Sequence, residues 1–153
     1  MEVFSPYFFA VVAGFGLPQL FKSVWASLRD RRLRWRVAFD TGGMPSSHSS
    51  LVTALALTIG AKVGWGSPIF VLAAVWAAIV IYDSAHVRRA VGEQGVALRG
   101  LLLQRGPGAK TRPDTIPTGG LDEPYASRGH TPAEVLAGMA CGAVIAVVVA
   151  LLT

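Results

Sequence analysis

The sequence predicts an all-α fold: a polytopic membrane bundle of about four transmembrane helices, with an interfacial helix and a long Gly/Pro-rich loop. Three observations predict it. Of 153 residues, 52% are hydrophobic and only 15% charged, the mean hydropathy is positive at +0.49, and the apolar residues gather into four long runs. Such a composition excludes a disordered tail or a solvated charged module, which need low hydrophobicity and high charge. The length suits a single domain, residues 1–153.

The first run, Pro6 to Leu28, carries one charge, Lys22, and is long enough to cross a hydrocarbon core of about 30 Å at roughly 1.5 Å per residue. It ends in a basic run with no small-residue cleavage pattern, which favours a retained helix over a removable signal peptide. A second run, Ser49 to Trp65, follows the turn-like TGGMPSSH. The third, Pro68 to Tyr82, follows the break GWGS and can extend helically through Asp83 to Arg89. Both are short for spanning. The fourth, Ala133 to Leu152, is interrupted only by Glu134, small residues and Cys141. Val91 to Arg105 has helical spacing of Val96, Leu98, Leu101 and Leu102 with basic residues between, the pattern of an interfacial helix. Residues 106–129, rich in glycine and proline, form a loop long enough to be a lid or a mobile surface segment.

Fourteen Lys+Arg against nine Asp+Glu leave a net charge of +5, which suits a phosphate-bearing partner, a membrane surface or both; no nucleic-acid partner is expected. Four spans put both termini on one side. Twelve basic residues then share the other: Arg29, Arg31, Arg32, Arg34 and Arg36 after the first span, and Arg88, Arg89, Arg99, Arg105, Lys110, Arg112 and Arg128 between the third and fourth. The positive-inside rule places that face in the cytoplasm, with Lys62 and the chain ends across the membrane. The single cysteine, Cys141, excludes an intrachain disulfide framework and any cysteine-based zinc site.

Polar residues sit where four span ends meet on the basic face. Lys22 and Arg29, seven apart, project from one side of the first helix. Pro45-Ser46-Ser47-His48 opens the second span, Asp83, His86, Arg88 and Arg89 close the third, and His130-Thr131-Pro132-Ala133-Glu134 opens the fourth. Each has a structural explanation: Lys22 snorkelling to the interface, Ser46 or Ser47 as a helix cap, Thr131 to Glu134 as a capping box. His48 and His130 are harder to explain structurally. Both stand at helix starts, where free N–H groups and the helix dipole favour an anion, and nearby arginines can hold its oxygens in bidentate fashion. With that inventory one histidine can attack phosphorus while the other protonates the leaving oxygen, and neither role needs a metal or cofactor. Glu134, four residues past His130, is within reach of that imidazole's far nitrogen.

TGGMPSSHSS, YDSAHVRRAVGEQ and GHTPAEVLAG together resemble the divergent branch of the type 2 phosphatidic acid phosphatase superfamily, related to acid phosphatases and vanadium-dependent haloperoxidases. The superfamily pattern is K-x6-R-P, P-S-G-H and S-R-x5-H-x3-D. Lys22 and Arg29 keep the first spacing, with Asp30 in place of proline; Pro45, Ser46 and His48 match the second, with Ser47 for glycine; His130 matches the third histidine, with Glu134 for aspartate. Ser127-Arg128 lies too close to His130, so Arg88 or Arg89 takes the arginine's place, Arg88 being preferred. The resemblance implies a metal-independent lipid phosphate phosphatase in which Lys22, Arg29, Ser46, Ser47, Arg88 and Arg89 surround the phosphate. By the same resemblance His130 forms a phosphohistidine, His48 is the general acid and Glu134 orients His130. Its membrane members have about six spans, so a four-span chain implies a homodimer. Two alternatives remain open: a protein that holds a phosphorylated lipid headgroup without hydrolysing it, and a purely structural membrane subunit.

Overall fold

The computed structural model describes residues 5–31, 43–104 and 130–153; the loop 106–129, the arginines between 32 and 36, and Ser127-Arg128 lie outside them. The described residues form helices and turns, with no strand. Helix α1 spans Pro6–Asp30, α2 Ser47–Val63, α3 Pro68–Tyr82, α4 Arg88–Gln104 and α5 Pro132–Leu152, and a π turn, Asp83–Val87, joins α3 to α4. Serine or threonine caps the start of α1, α2, α3 and α5: Ser5, Ser46, Ser67 and Thr131 each accept a backbone N–H of the first turn. Proline at the first helical position reinforces three of these starts, on α1, α3 and α5.

Helix α2 is the axle of the bundle. Its buried positions, among them Ser47, Ser50, Val52, Ala54, Ala56, Thr58 and Gly60, run around the whole circumference, because α1, α3 and α5 all pack against it. One side meets Ala10 of α1 and Ile145 and Val149 of α5 around Ala54; another meets Ala77 of α3 around Val52 and Ala56. Small residues let these backbones approach closely, as helices in lipid need when burial of apolar surface gives no driving force. A Cβ on Gly138 would run into the carbonyl oxygen of Ser46, and one on Gly142 into that of Ser50. On the opposite flank a Cβ on Gly14 would stand 3.0 Å from Leu51 Cα. On α1 the inward stripe is Ala10, Gly14, Pro18 and Lys22, every fourth residue and all buried.

Helices α2 and α5 run parallel and in register. The Ser46 amide donates to Glu134 O at one end, and the Lys62 ammonium donates to Ala150 O, sixteen residues further along both helices, at the other. That interval corresponds to about 24 Å of axial rise. α1 and α3 run antiparallel to them, so the start of α1 and the end of α5 share the end of the bundle away from His48 and His130.

Among the described residues, three helical segments are long and apolar enough to cross a membrane: Pro6–Arg29, Pro68–Gly95 and Pro132–Leu152. Their large exposed side chains, such as Phe8, Leu20 and Trp25 of α1, Leu72 and Trp76 of α3 and Val144 and Val147 of α5, are the expected lipid face. The multi-pass helical membrane bundle read from the sequence is therefore present, with two differences. The second expected span is a helix of 17 residues, two residues earlier at each end, and its serines and threonines are enclosed by neighbours instead of lipid. The third span and the expected interfacial helix are continuous from Pro68 to Gln104 through the π turn; no glycine or proline intervenes between Pro68 and Val91 to stop them.

Packing predicts a contrast between glycines. Gly138→Ala should cost about 1–3 kcal/mol, since it forces apart backbones already in contact, whereas Gly16→Ala, inside α1 and with nothing within 4 Å of its Cβ, should stabilise by about 0.5–1 kcal/mol. Thermal unfolding in detergent compares them; equal effects would contradict the α2–α5 contact.

Candidate functional site

At the end of the bundle where α1 and α3 finish and α2 and α5 begin, the chain brings together Lys22, Ser46, Ser47, His48, Asp83, Arg88, His130 and Glu134. Ser46 is the hinge of this assembly. Its backbone N–H donates to Glu134 O at 3.0 Å, its carbonyl accepts from Ser50 N at 3.0 Å, and its hydroxyl accepts from Ser49 Oγ at 3.0 Å and Ser49 N at 3.4 Å. Ser46 is thus the cap expected at this helix start, and its contact with α5 fixes His48, two residues on, beside the start of α5. Ser47 is fully buried, and its hydroxyl has no hydrogen-bond partner among the described residues.

Lys22 is 7% exposed, and its side chain runs beneath Gly43, whose ideal Cβ would lie 3.7 Å from Lys22 Cδ. Gly43 has φ +88°, a conformation that favours glycine, so the turn leading to Pro45 can fold over the lysine. Burial of an ammonium at the membrane boundary is costly and marks a functional group by default. His48 packs edge-on against Phe15 of α1, with ring centroids 5.9 Å apart, and lies within electrostatic range of Arg88, Lys22 and Asp83.

His130 immediately precedes the α5 cap and is 2% exposed. Neither of its ring nitrogens has a hydrogen-bond partner among the described residues, an unusual condition for a buried imidazole. Burial pushes its pKa below the ordinary 6.5. The positive charge of Lys22 pushes the same way, the Glu134 carboxylate opposes it, and His48 and Arg88 add smaller downward effects. The imidazole is accordingly neutral at pH 7, with a lone pair available. The same interactions show that four chain segments converge on it.

Glu134 accepts from the Thr131 backbone N–H at 2.9 Å while Thr131 Oγ1 accepts from Glu134 N at 3.3 Å. This reciprocal capping box engages the carboxylate with the start of α5, so Glu134 acts on His130 through charge and through the cap, with no hydrogen bond to the ring. The two arginines part company. Arg88 Nε donates to Asp83 Oδ2 at 2.8 Å and Arg88 lies within range of both site histidines, whereas Arg89 Nε donates to Glu93 Oε1 at 3.0 Å along α4. Arg29 is exposed in the last turn of α1, about two turns beyond Lys22. His86, also exposed, stacks on Tyr82 with centroids 4.5 Å apart.

Two histidines, a buried lysine and an arginine thus stand around the starts of two parallel helices, an arrangement whose charges and free N–H groups favour an anion. The model of the family described as "Divergent PAP2 family" matches residues 4–145. The chain belongs to the divergent PAP2 family. It is also 34% identical over 123 residues to the uncharacterized membrane protein YuiD of Bacillus subtilis (strain 168), a match covering 78% of each chain. No solved structure matches it. Family membership accords with the three sequence blocks that meet here and with a multi-pass membrane protein. Asp83 was recognisable in the sequence only as one of several polar residues closing the third run; the π turn that pairs it with Arg88 had no clear sequence signal.

The His130 shift has a consequence for stability. A folded pKa below the unfolded one means that the unfolded chain binds the proton more tightly, so stability is full above about the ordinary value of 6.5 and declines as pH falls below it. Thermal unfolding in detergent should therefore show a loss of stability between pH 7 and pH 5 that is smaller in His130→Asn. Identical pH slopes in the two proteins would contradict the buried neutral imidazole.

Proposed function

We propose that this protein is a metal-independent lipid phosphate phosphatase acting on a phosphomonoester or diphosphate of a membrane lipid. The observation that carries the reading is the buried His130 ring, both nitrogens without a partner among the described residues, within range of Lys22, His48 and Arg88. Family membership supports a phosphatase-like ancestry, and the position of the site at the bundle end suits a headgroup whose acyl or prenyl tail stays in the bilayer.

In this reading Lys22 and Arg88 neutralise the phosphate oxygens, and Ser46 and Ser47 place the start of α2, with its N–H groups, toward them. Arg29, two turns beyond, serves the approach of the headgroup. Arg89, paired with Glu93, lies at the edge. The neutral His130 attacks phosphorus, forming a phosphohistidine as the P–O bond to the lipid breaks, and His48 gives a proton to the departing oxygen. Water then attacks the phosphohistidine with His48 accepting its proton, which releases inorganic phosphate and restores both imidazoles. Glu134 supports His130 by fixing the α5 cap and by its negative charge, which stabilises the imidazole as it becomes cationic.

One observation favours a second reading, a protein that binds phosphorylated headgroups without hydrolysis: the Glu134 carboxylate is occupied by Thr131, leaving no acceptor on the far nitrogen of His130. The two are separated by purified protein in micelles containing a lipid phosphate and a chelator. The phosphatase reading predicts phosphate release, competitive inhibition by vanadate, and a drop of at least about a thousandfold in His130→Ala with lipid binding retained. Binding without release in the wild type would establish the second reading, and full turnover in His130→Ala would remove the nucleophile assignment.

A further inference from the structure

Asp83 and Arg88 are five residues apart in one continuous helical run. In an α-helix side chains at that spacing diverge by about 140°, too far for a short ion pair. The chain instead widens into a π turn over Asp83–Val87, closed by the Arg88 N–H donating to Asp83 O, and residues five apart come onto one face. Arg88 Nε then donates to Asp83 Oδ2 at 2.8 Å, while Arg89 is left to pair with Glu93 on α4. The widened turn thus separates the fates of two adjacent arginines.

The pair sits at the site. Both members lie within electrostatic range of His48, and Arg88 also within range of His130. Arg88 is contacted through Nε, and its two terminal nitrogens make no hydrogen bond with the described residues. An arginine held by one edge keeps the donors of its other edge for a second acceptor.

Resting on the phosphate-site reading, we propose that Asp83 is a positioning residue: through the π turn it holds Arg88 by Nε and turns the terminal nitrogens toward the oxyanion held between His48 and His130. Asp83 touches neither substrate nor the reacting atoms. Its contribution is to keep a half-exposed, flexible side chain in one orientation, which lowers the ordering cost of binding.

Vanadate affinity, measured by inhibition or direct binding, tests this in wild type, D83A, R88A and the double variant. D83A should weaken vanadate by about tenfold with an unchanged melting temperature, the double variant should bind no more weakly than R88A alone, and D83E should recover most of the loss. D83N, which keeps the shape of the side chain, should weaken binding in the same direction and serves if D83A does not fold. Wild-type affinity in D83A, or losses that add in the double variant, would overturn the role of Asp83 while leaving the phosphate site standing. Absence of vanadate binding in the wild type would overturn both.

Discussion

The close approach of α2 and α5 is the constraint on which the rest depends. Two glycines on α5, Gly138 and Gly142, let their backbone touch the carbonyl oxygens of Ser46 and Ser50, and the Ser46–Glu134 hydrogen bond locks the register. In lipid there is little hydrophobic reward for helix association, so this contact rests on packing and on satisfied polar groups. Because the helices are parallel, their positively polarised starts lie side by side, each with a histidine next to it. An anion-attracting end is therefore built into the topology before any particular arginine is considered.

Around that paired start the other helices add charge in a graded way. α1 contributes a lysine on the same four-residue stripe that packs its inner face, so one periodicity serves both folding and the site. The π turn between α3 and α4 brings Arg88, the first residue of α4, onto the face of Asp83; a regular helix would have separated the two. Burial of Lys22 and His130 together is tolerable because the histidine is neutral there. Burial first, and the neighbouring Lys22 charge second, disfavour its protonated form and push its pKa below the ordinary value.

Much of this was legible in the sequence, for identifiable reasons. Long apolar runs report spans directly, and helix starts are marked by Ser-Ser-His and His-Thr-Pro-Ala-Glu, where capping chemistry and candidate function occupy the same few residues. The capping reading of Glu134 agrees with the geometry, and of the two adjacent arginines it is Arg88 that lies within electrostatic range of both histidines. The continuity of the third run with the supposed interfacial helix was less legible, since charge at Asp83 and Arg88 looks like a boundary when only hydropathy is followed. The enclosure of α2 could have been found: Gly138 and Gly142 are spaced four apart, as are Ser46, Ser50 and Ala54, the small-residue spacing of a tight membrane contact. The π turn over Asp83–Val87 has no comparable signature, because no glycine, proline or change of hydrophobic period marks it.

On this reading His48 and His130, drawn from separate helices, address one oxyanion. The most direct measurement is nuclear magnetic resonance of protein labelled with nitrogen-15 in its three imidazoles, titrated with vanadate or phosphate. The His48 and His130 signals should move together along one binding curve while His86, stacked on Tyr82, changes little. Movement of only one of the two, or two curves with different midpoints, would contradict it.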